Sequence, residues 1–291
     1  MTAAVYAARK KIKTLLLAKD IGGQVITTSG VENYMGYQYV EGIELMDKFE
    51  QQLKQFPIDR RDGEEVTAVS WIKSGFEVKT DSSETFQSRA VIVATGKKPR
   101  GLNVPGEKEL TGRGISYCAV CDGPLFSGEN VAVVGGGNSA LEAIDDMLRI
   151  ASRVYSIVDG PFTGDAILID RVTSNSNIMI YHEYRVIEIK GVDRVAAITI
   201  QNMQTGEKEE LDVRGVFIEV GLIPNSGPVS GLAKLNDIGE IEVNCKCETG
   251  VPGLFAAGDV ASTPEKQIII AAGEGAKAAL QAHRYLQRLA N

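Results

Sequence analysis

The sequence predicts an α/β protein of two three-layer domains, the second inserted into the first. Three observations predict it. A buried strand at 131–134, a glycine loop and a helix to about Ile150 are followed by a second strand at 154–158, the order of an α/β unit. Stretches rich in Gly, Pro and Lys or Asn, 97–106 and 221–228, bracket that unit. The tail after Gly231 has too few elements for a core of its own and is expected to fold back onto the first hundred residues.

A chain of 291 residues, 44% hydrophobic and 24% charged, has the balance of a globular protein with room for two cores. The net charge of -7 gives no general reason to bind nucleic acid or an anionic membrane. The apolar runs 14–18, 131–134 and 268–272 are far shorter than the roughly 20 residues of a membrane-spanning helix. Arg9, Lys10, Lys11 and Lys13 precede an apolar stretch that Asp20 and two glycines soon end, too short for a signal-peptide core, so a cytoplasmic location is expected by default. Four cysteines in a chain this long do not make a secreted disulfide scaffold, and a close pair among them reads as metal-binding or redox-active.

In chain order, residues 2–11 read as a helix with a solvated basic tail and 14–18 as a buried strand. Residues 41–56 are helical by their apolar spacing. The segments 66–72, 76–80 and 85–87 read as an antiparallel hairpin system, and 90–94 is a buried strand ending at Thr95-Gly96. After the inserted unit, short strands are expected around 241–243 and at 254–256, then an amphipathic helix from about Pro264 to Leu289. The outer domain is therefore residues 1–100 with 228–291, and the inner one 101–227.

Val134-Gly135-Gly136-Gly137-Asn138-Ser139-Ala140 sets a GxGxxA loop between strand and helix, as a Rossmann-like dinucleotide site requires. Gly135 permits the tight turn, Gly137 lets a pyrophosphate approach the backbone, Ala140 allows close strand-helix packing, and the helix start, with Asn138 and Ser139, offers amide donors. Asp159, past the second strand, is placed to bond ribose hydroxyls. It repels a 2′-phosphate, and 159–170 hold no Arg or Lys, so NADH is favoured over NADPH. A plain turn before Gly160-Pro161 is the alternative.

Cys118-Ala119-Val120-Cys121 can close a small reactive disulfide, with Asp122 next to it to donate or accept a proton. Half of a zinc site is the alternative and needs two further ligands. Cys245 and Cys247 fall on an expected strand as ordinary residues, and His182 and His283 in unremarkable strand and helix contexts; no metal ligands are assigned.

A CxxC-Asp just ahead of a nucleotide loop, inside an inserted α/β domain, resembles the low-molecular-weight thioredoxin reductases and the reductase portion of the alkyl hydroperoxide reductase flavoprotein. The resemblance runs over nearly the whole chain, through Gly22-Gly23-Gln24, Glu32-Asn33-Tyr34, Ala94-Thr95-Gly96, the stretch from Cys118 to Gly123, the loop from Gly135 to Ala140, Phe255-Ala256-Ala257-Gly258-Asp259, and the stretch from Lys266 to Gly275. It implies FAD in the outer domain, with Gly22, Gly23, Gln24 and Asn33 along the flavin, Thr95 and Gly96 near the adenylate half, and Gly258, Asp259, Gln267 and Ile268 near the ribitol and ring. It also implies that Cys121 faces the flavin, that Cys118 attacks the partner's disulfide, and that Asp122 is the acid/base group. By the same resemblance hydride passes from nicotinamide to flavin, electrons go on to the disulfide, the inner domain rotates between these steps, and the protein is a homodimer.

Two departures qualify the match. NADPH-binding members carry a basic cluster after the second inner strand, where this chain has Asp159-Gly160-Pro161-Phe162-Thr163-Gly164, which supports NADH or an unusual donor such as reduced ferredoxin. The family opens with a strand and GxGxxG loop for the FAD pyrophosphate; this chain opens inside the following helix, so Met1 reads as internal to a longer protein, with weak FAD retention and an exposed sheet edge expected. The expected partner is a separate thioredoxin-like or glutaredoxin-like protein. Alternatives are the reductase component of a peroxiredoxin system, a ferredoxin-fed variant, and a non-catalytic nucleotide-binding redox sensor.

Overall fold

The computed structural model describes residues 1–27, 31 and 33–290, with the backbone alone for Val120, Cys121 and Ala290. It divides into two compact units: Met1–Thr27 with Val31–Lys98 and Ile223–Asn291, and Pro99–Leu222.

The continuous unit is built on a five-stranded parallel sheet, ordered Ile178–His182, Arg153–Val158, Asn130–Val134, Gly215–Ile218, Ile115–Ser116. Asn130–Val134 lies third of the five and is buried on both faces, which is why it reads as an unbroken apolar run. Val131 and Val133 pack with Phe217 against helix Asn138–Leu148, through Ala140, Leu141, Ile144 and Met147. Ala132 and Val134 face the other way, onto an antiparallel meander of Tyr184–Gly191, Val195–Asn202 and Lys208–Asp212, through Val186, Ile189, Ile198 and Ile200. Helices, parallel sheet and meander make the three layers, and the α/β class read from the sequence is the one the structure has.

In the discontinuous unit, Leu15–Ala18 pairs in parallel with Asp59–Asp62, and Val91–Val93 with Leu254–Ala256. Among the described residues no ladder joins these two pairs. An antiparallel sheet of Val66–Ile72, Gly75–Thr80 and Thr85–Ser88 shares a core with them through Val69, Phe76, Val78, Val93, Ile241 and Leu254. Helix Thr2–Arg9 packs on Ile268–Ala290, where Gly275 leaves room: a Cβ there would lie 3.3 Å from the Ala3 nitrogen. The basic tail beyond it is exposed, and the helix stops at Arg9 because Lys11 takes a φ of 56°. The two crossings, Lys97–Pro99 and Leu222–Pro224, pair with each other.

Three expectations are corrected. Residues 241–243 form no strand; Ile241 makes isolated bridges to Leu235 and Ala261. Cys245 and Cys247 lie in a turn, because the Asn244 side chain accepts from the Lys246 and Glu248 amides and Cys247 takes a φ of 63°. The last helix begins at Ile268, four residues after Pro264, since Lys266 is drawn out of the helical path to the Ala261 carbonyl and the Glu240 carboxylate.

Candidate functional site

The glycine loop ends the Asn130–Val134 strand. Gly135 has φ 136°, and a Cβ on it would fall 2.3 Å from the Glu219 carbonyl oxygen, so the turn excludes every side chain. Gly137 meets nothing within 4 Å of a built Cβ and precedes the helix from Asn138, while Ala140 is fully buried beneath it. A bare glycine backbone at a helix start suits a pyrophosphate. Ser139 is exposed beside it.

Residues 160–165 strap over this loop. The Thr163 amide donates to the Gly136 carbonyl at 2.8 Å, and the Asp165 amide to the Asn138 side-chain oxygen at 2.7 Å. Asn138 thus holds the strap, a task its motif position did not disclose. Asp159 is exposed at the end of Arg153–Val158, with the Gly160 carbonyl 3.0 Å from His182 Nδ1 and the Phe162 ring 5.2 Å from the His182 ring.

The redox turn follows strand Ile115–Ser116. Cys118 is disulfide-bonded and flanks the short helix Ala119–Asp122; the Cys121 side chain lies outside the described residues. Ser116, buried, organises the turn. Its hydroxyl donates to the Asp122 carboxylate at 2.6 Å and accepts the Cys118 amide at 3.0 Å, and the Asp122 amide donates to the Cys118 carbonyl at 3.1 Å. Asp122 is therefore fixed against the cysteine backbone. Tyr117 donates its hydroxyl to Glu107 at 2.8 Å, and burial, then that carboxylate, push its hydroxyl up to about 12. Cys247, by contrast, is buried with its thiol pushed up to about 11, chiefly by burial, and Cys245 is exposed; both are free thiols. Among the described residues no cluster of three His, Cys, Asp or Glu is arranged to hold a metal ion.

In the discontinuous unit several of the flavin candidates are tied by hydrogen bonds across long sequence separations. Gln24 donates to the Lys97 carbonyl at 2.9 Å, beside Thr95 and Gly96, while Thr95 and Asn225 exchange two bonds at 2.7 and 2.9 Å. The Lys97 ammonium reaches Glu240 at 2.7 Å, Glu240 reaches Lys266 at 2.9 Å, and the neighbouring Gln267 accepts from Asn33 at 2.9 Å, just before Ile268 opens the last helix. Asp259 is half-buried; burial raises its carboxyl, and Lys266 and Lys97 pull it back. Gly258 has φ 75° and donates its amide to Glu274 at 2.7 Å. Gly22 and Gly23 have φ of 94° and 53°, and only Gly23 is open around its Cβ position; at Gly22 a Cβ would meet Ile26 at 2.4 Å. Polar groups, bare glycines and one carboxylate fit a nucleotide's ribityl and phosphate parts. Glu32, in one of the matched stretches, lies outside the described residues.

Sequence reasoning missed Ser116, Glu107 and Glu219. A small polar residue two places before a reactive cysteine, and an acidic one ending a buried apolar strand, were the available signals.

The family model described as pyridine nucleotide-disulphide oxidoreductase matches residues 1–276. An alkyl hydroperoxide reductase subunit of Staphylococcus aureus (strain MSSA476) is 39% identical over 99% of this chain, which spans 57% of that relative's length. Among solved structures, the thioredoxin reductase of Streptococcus pyogenes MGAS5005 is 36% identical, with a TM-score of 0.84 over 99% of this chain and 94% of its own. That of Lactococcus lactis, in its FR conformation, is 34% identical, with a TM-score of 0.73 over 99% and 95%. No described helix is long and apolar enough to cross a membrane.

Proposed function

The chain belongs to the pyridine nucleotide-disulphide oxidoreductase family, and on that premise we propose that it is the reductase of a dithiol relay, carrying electrons from NADH to the Cys118/Cys121 pair and on to a thioredoxin-like protein. It is an oxidoreductase, and its family implies a flavin and a pyridine nucleotide. The observation that carries the finer reading is the redox turn: a disulfide-bonded Cys118 with an acid, Asp122, held beside it by Ser116.

FAD, when bound, supplies two-electron transfer between nucleotide and disulfide. Gly22, Gly23, Gln24, Asn33, Thr95, Gly96, Gly258, Asp259, Gln267 and Ile268 are the residues that would hold it. Gly135, Gly137, Asn138, Ser139 and Asp159 would hold the nucleotide, and the exposed Asp159 with a strap free of Arg and Lys supports NADH over NADPH. Asp122 is placed to hold or return the proton that a cysteine exchanges as the disulfide opens. Ser116 orients that carboxylate. Cys118 is the proposed nucleophile toward the partner, a separate small redox protein, in a cytoplasmic homodimer.

A second reading, service to a peroxiredoxin, is favoured by the likeness to the alkyl hydroperoxide reductase relative. The test is anaerobic titration of FAD-supplemented protein with NADH and, separately, NADPH, following flavin absorbance and free thiols. Bleaching by NADH with thiols appearing at Cys118 and Cys121 supports the proposal. No bleaching by either donor refutes it.

A further inference from the structure

One carboxylate at the end of a buried strand takes no part in the chemistry above. Strand Gly215–Ile218 lies between Asn130–Val134 and Ile115–Ser116 in the parallel sheet. Its register pairs Phe217 with Ser116 on one side and Ile218 with Val134 on the other. Carried past the strand end, that register puts Glu219 abreast of Gly135 in the glycine loop and of Cys118 in the redox turn. The Glu219 amide donates to the Val134 carbonyl at 2.8 Å, which fixes the residue in this row.

We propose that Glu219 is a positioning residue for the redox turn, whose ionised form engages the Ala119 amide and suppresses the Cys118 thiolate, and whose protonated form releases both. The inference rests on the reductase reading and adds a regulation of its site.

The side chain is half-buried, and its surroundings set when it switches. Burial pushes the Glu219 carboxyl up to about 7, the Ala119 amide acts the other way, and the Glu142 carboxylate on helix Asn138–Leu148 pushes it further up. Among the described side chains, the ionisable groups on the side of the redox turn are Tyr117, Cys118 once reduced, and Asp122. Its own chain neighbours Ile218 and Val220, and Val134 and Gly135 from the adjoining strand, do not titrate. A second negative charge beside the turn disfavours a thiolate there by the ordinary like-charge rule. Because Gly135 packs against the Glu219 carbonyl, a nucleotide pressing on the glycine loop meets the same residue from its other side.

The test uses the full chain reduced with a phosphine, so it needs neither flavin turnover nor a nucleotide, and its outcome is distinct from that of the titration that tests the reductase reading. Iodoacetamide alkylation of Cys118 is followed by peptide mass spectrometry from pH 5 to 9, with the exposed Cys245 as internal reference. In the unmodified protein the rate should rise in two steps, flattened around neutrality. Glu219→Gln should give a single step and alkylate Cys118 about three- to tenfold faster at pH 8, where a shift of up to one pKa unit is read. Glu142→Gln should move the flattened region to lower pH without abolishing it, and it serves where the first variant fails to fold. Superimposable Cys118 profiles in the unmodified protein and in the folded variants, with Cys245 unchanged, would overturn the proposal.

Discussion

Replacing Glu107 by Gln tests how the redox turn is tied to the start of the inserted unit. Glu107 is 5% exposed, and its carboxylate gathers four donors: the Leu102 amide at 3.0 Å and the Tyr117 hydroxyl at 2.8 Å on one oxygen, the Asn103 amide at 2.6 Å and the Val104 amide at 3.4 Å on the other. A glutamine keeps one acceptor oxygen. Turned toward Asn103 and Val104, it presents its NH2 group to Tyr117, whose hydroxyl can accept, and to the Leu102 amide, which cannot. One buried amide is orphaned and the remaining bonds lose their charge assistance, a cost of about 2–4 kcal/mol. Hydrogen exchange read by mass spectrometry over residues 102–104 should accelerate roughly 30- to 1,000-fold, since each 1.4 kcal/mol is tenfold. The Tyr117 hydroxyl should also fall from about 12 toward its ordinary value without reaching it, because burial, the larger cause, persists. Exchange at 102–104 within threefold of the parent would refute the reasoning.

Ser116→Ala removes both the bond to Asp122 and the acceptor of the Cys118 amide, so it should lower stability by about 1–3 kcal/mol in urea unfolding and slow reduction of a small disulfide while flavin content is unchanged. Glu240→Gln strips two ammonium groups of their shared carboxylate in a site where Lys97 is 8% exposed, and should cost about 3–5 kcal/mol at neutral pH. Burial raises the Glu240 carboxyl, but bonds from Lys97, Lys266 and Asn236 outweigh it and the net shift is downward. Its stabilisation is therefore full above the unfolded carboxylate value and is lost as pH falls through the lower folded one, so the gap in unfolding midpoint between parent and variant should close only in acid. Asp159→Ser should improve NADPH relative to NADH by about tenfold in binding titrations, the worth of one like-charge contact of about 1.4 kcal/mol; an unchanged ratio removes Asp159 from donor choice.

The glycine loop was legible because its chemistry is local: a strand, a turn that tolerates only Gly135, and a small Ala140 follow one another in the chain. Elements buried on both faces, such as Asn130–Val134, announced themselves as apolar runs. What could not be read depends on register or on side chains meeting across long separations. Glu219 reaches the redox turn only because two strands flank its own, and Glu240 finds Lys97 across 143 residues. Residues 241–247 misled because Asn244 turns the chain, and alternating Ile, Val and Cys carry no sign of that. The strap over Gly136 was visible as a lack of cations, but not as a hydrogen-bonded cover.

The packing of helix Thr2–Arg9 on Ile268–Ala290 has a consequence for the order of events on the ribosome. Pro99–Leu222 can close its sheet as soon as Gly215–Ile218 has emerged, since its strands all come from within it. Thr2–Arg9 must wait for Ile268–Ala290, which is made only after that whole unit. At about 5–20 residues per second, the roughly 70 residues after Leu222 take several seconds more. During that interval Ala4 and Val5 have only their neighbours around Leu53 for cover and lack the part that Ile268–Ala290 supplies, so the nascent chain should offer holdase chaperones Thr2–Arg9 rather than Pro99–Leu222.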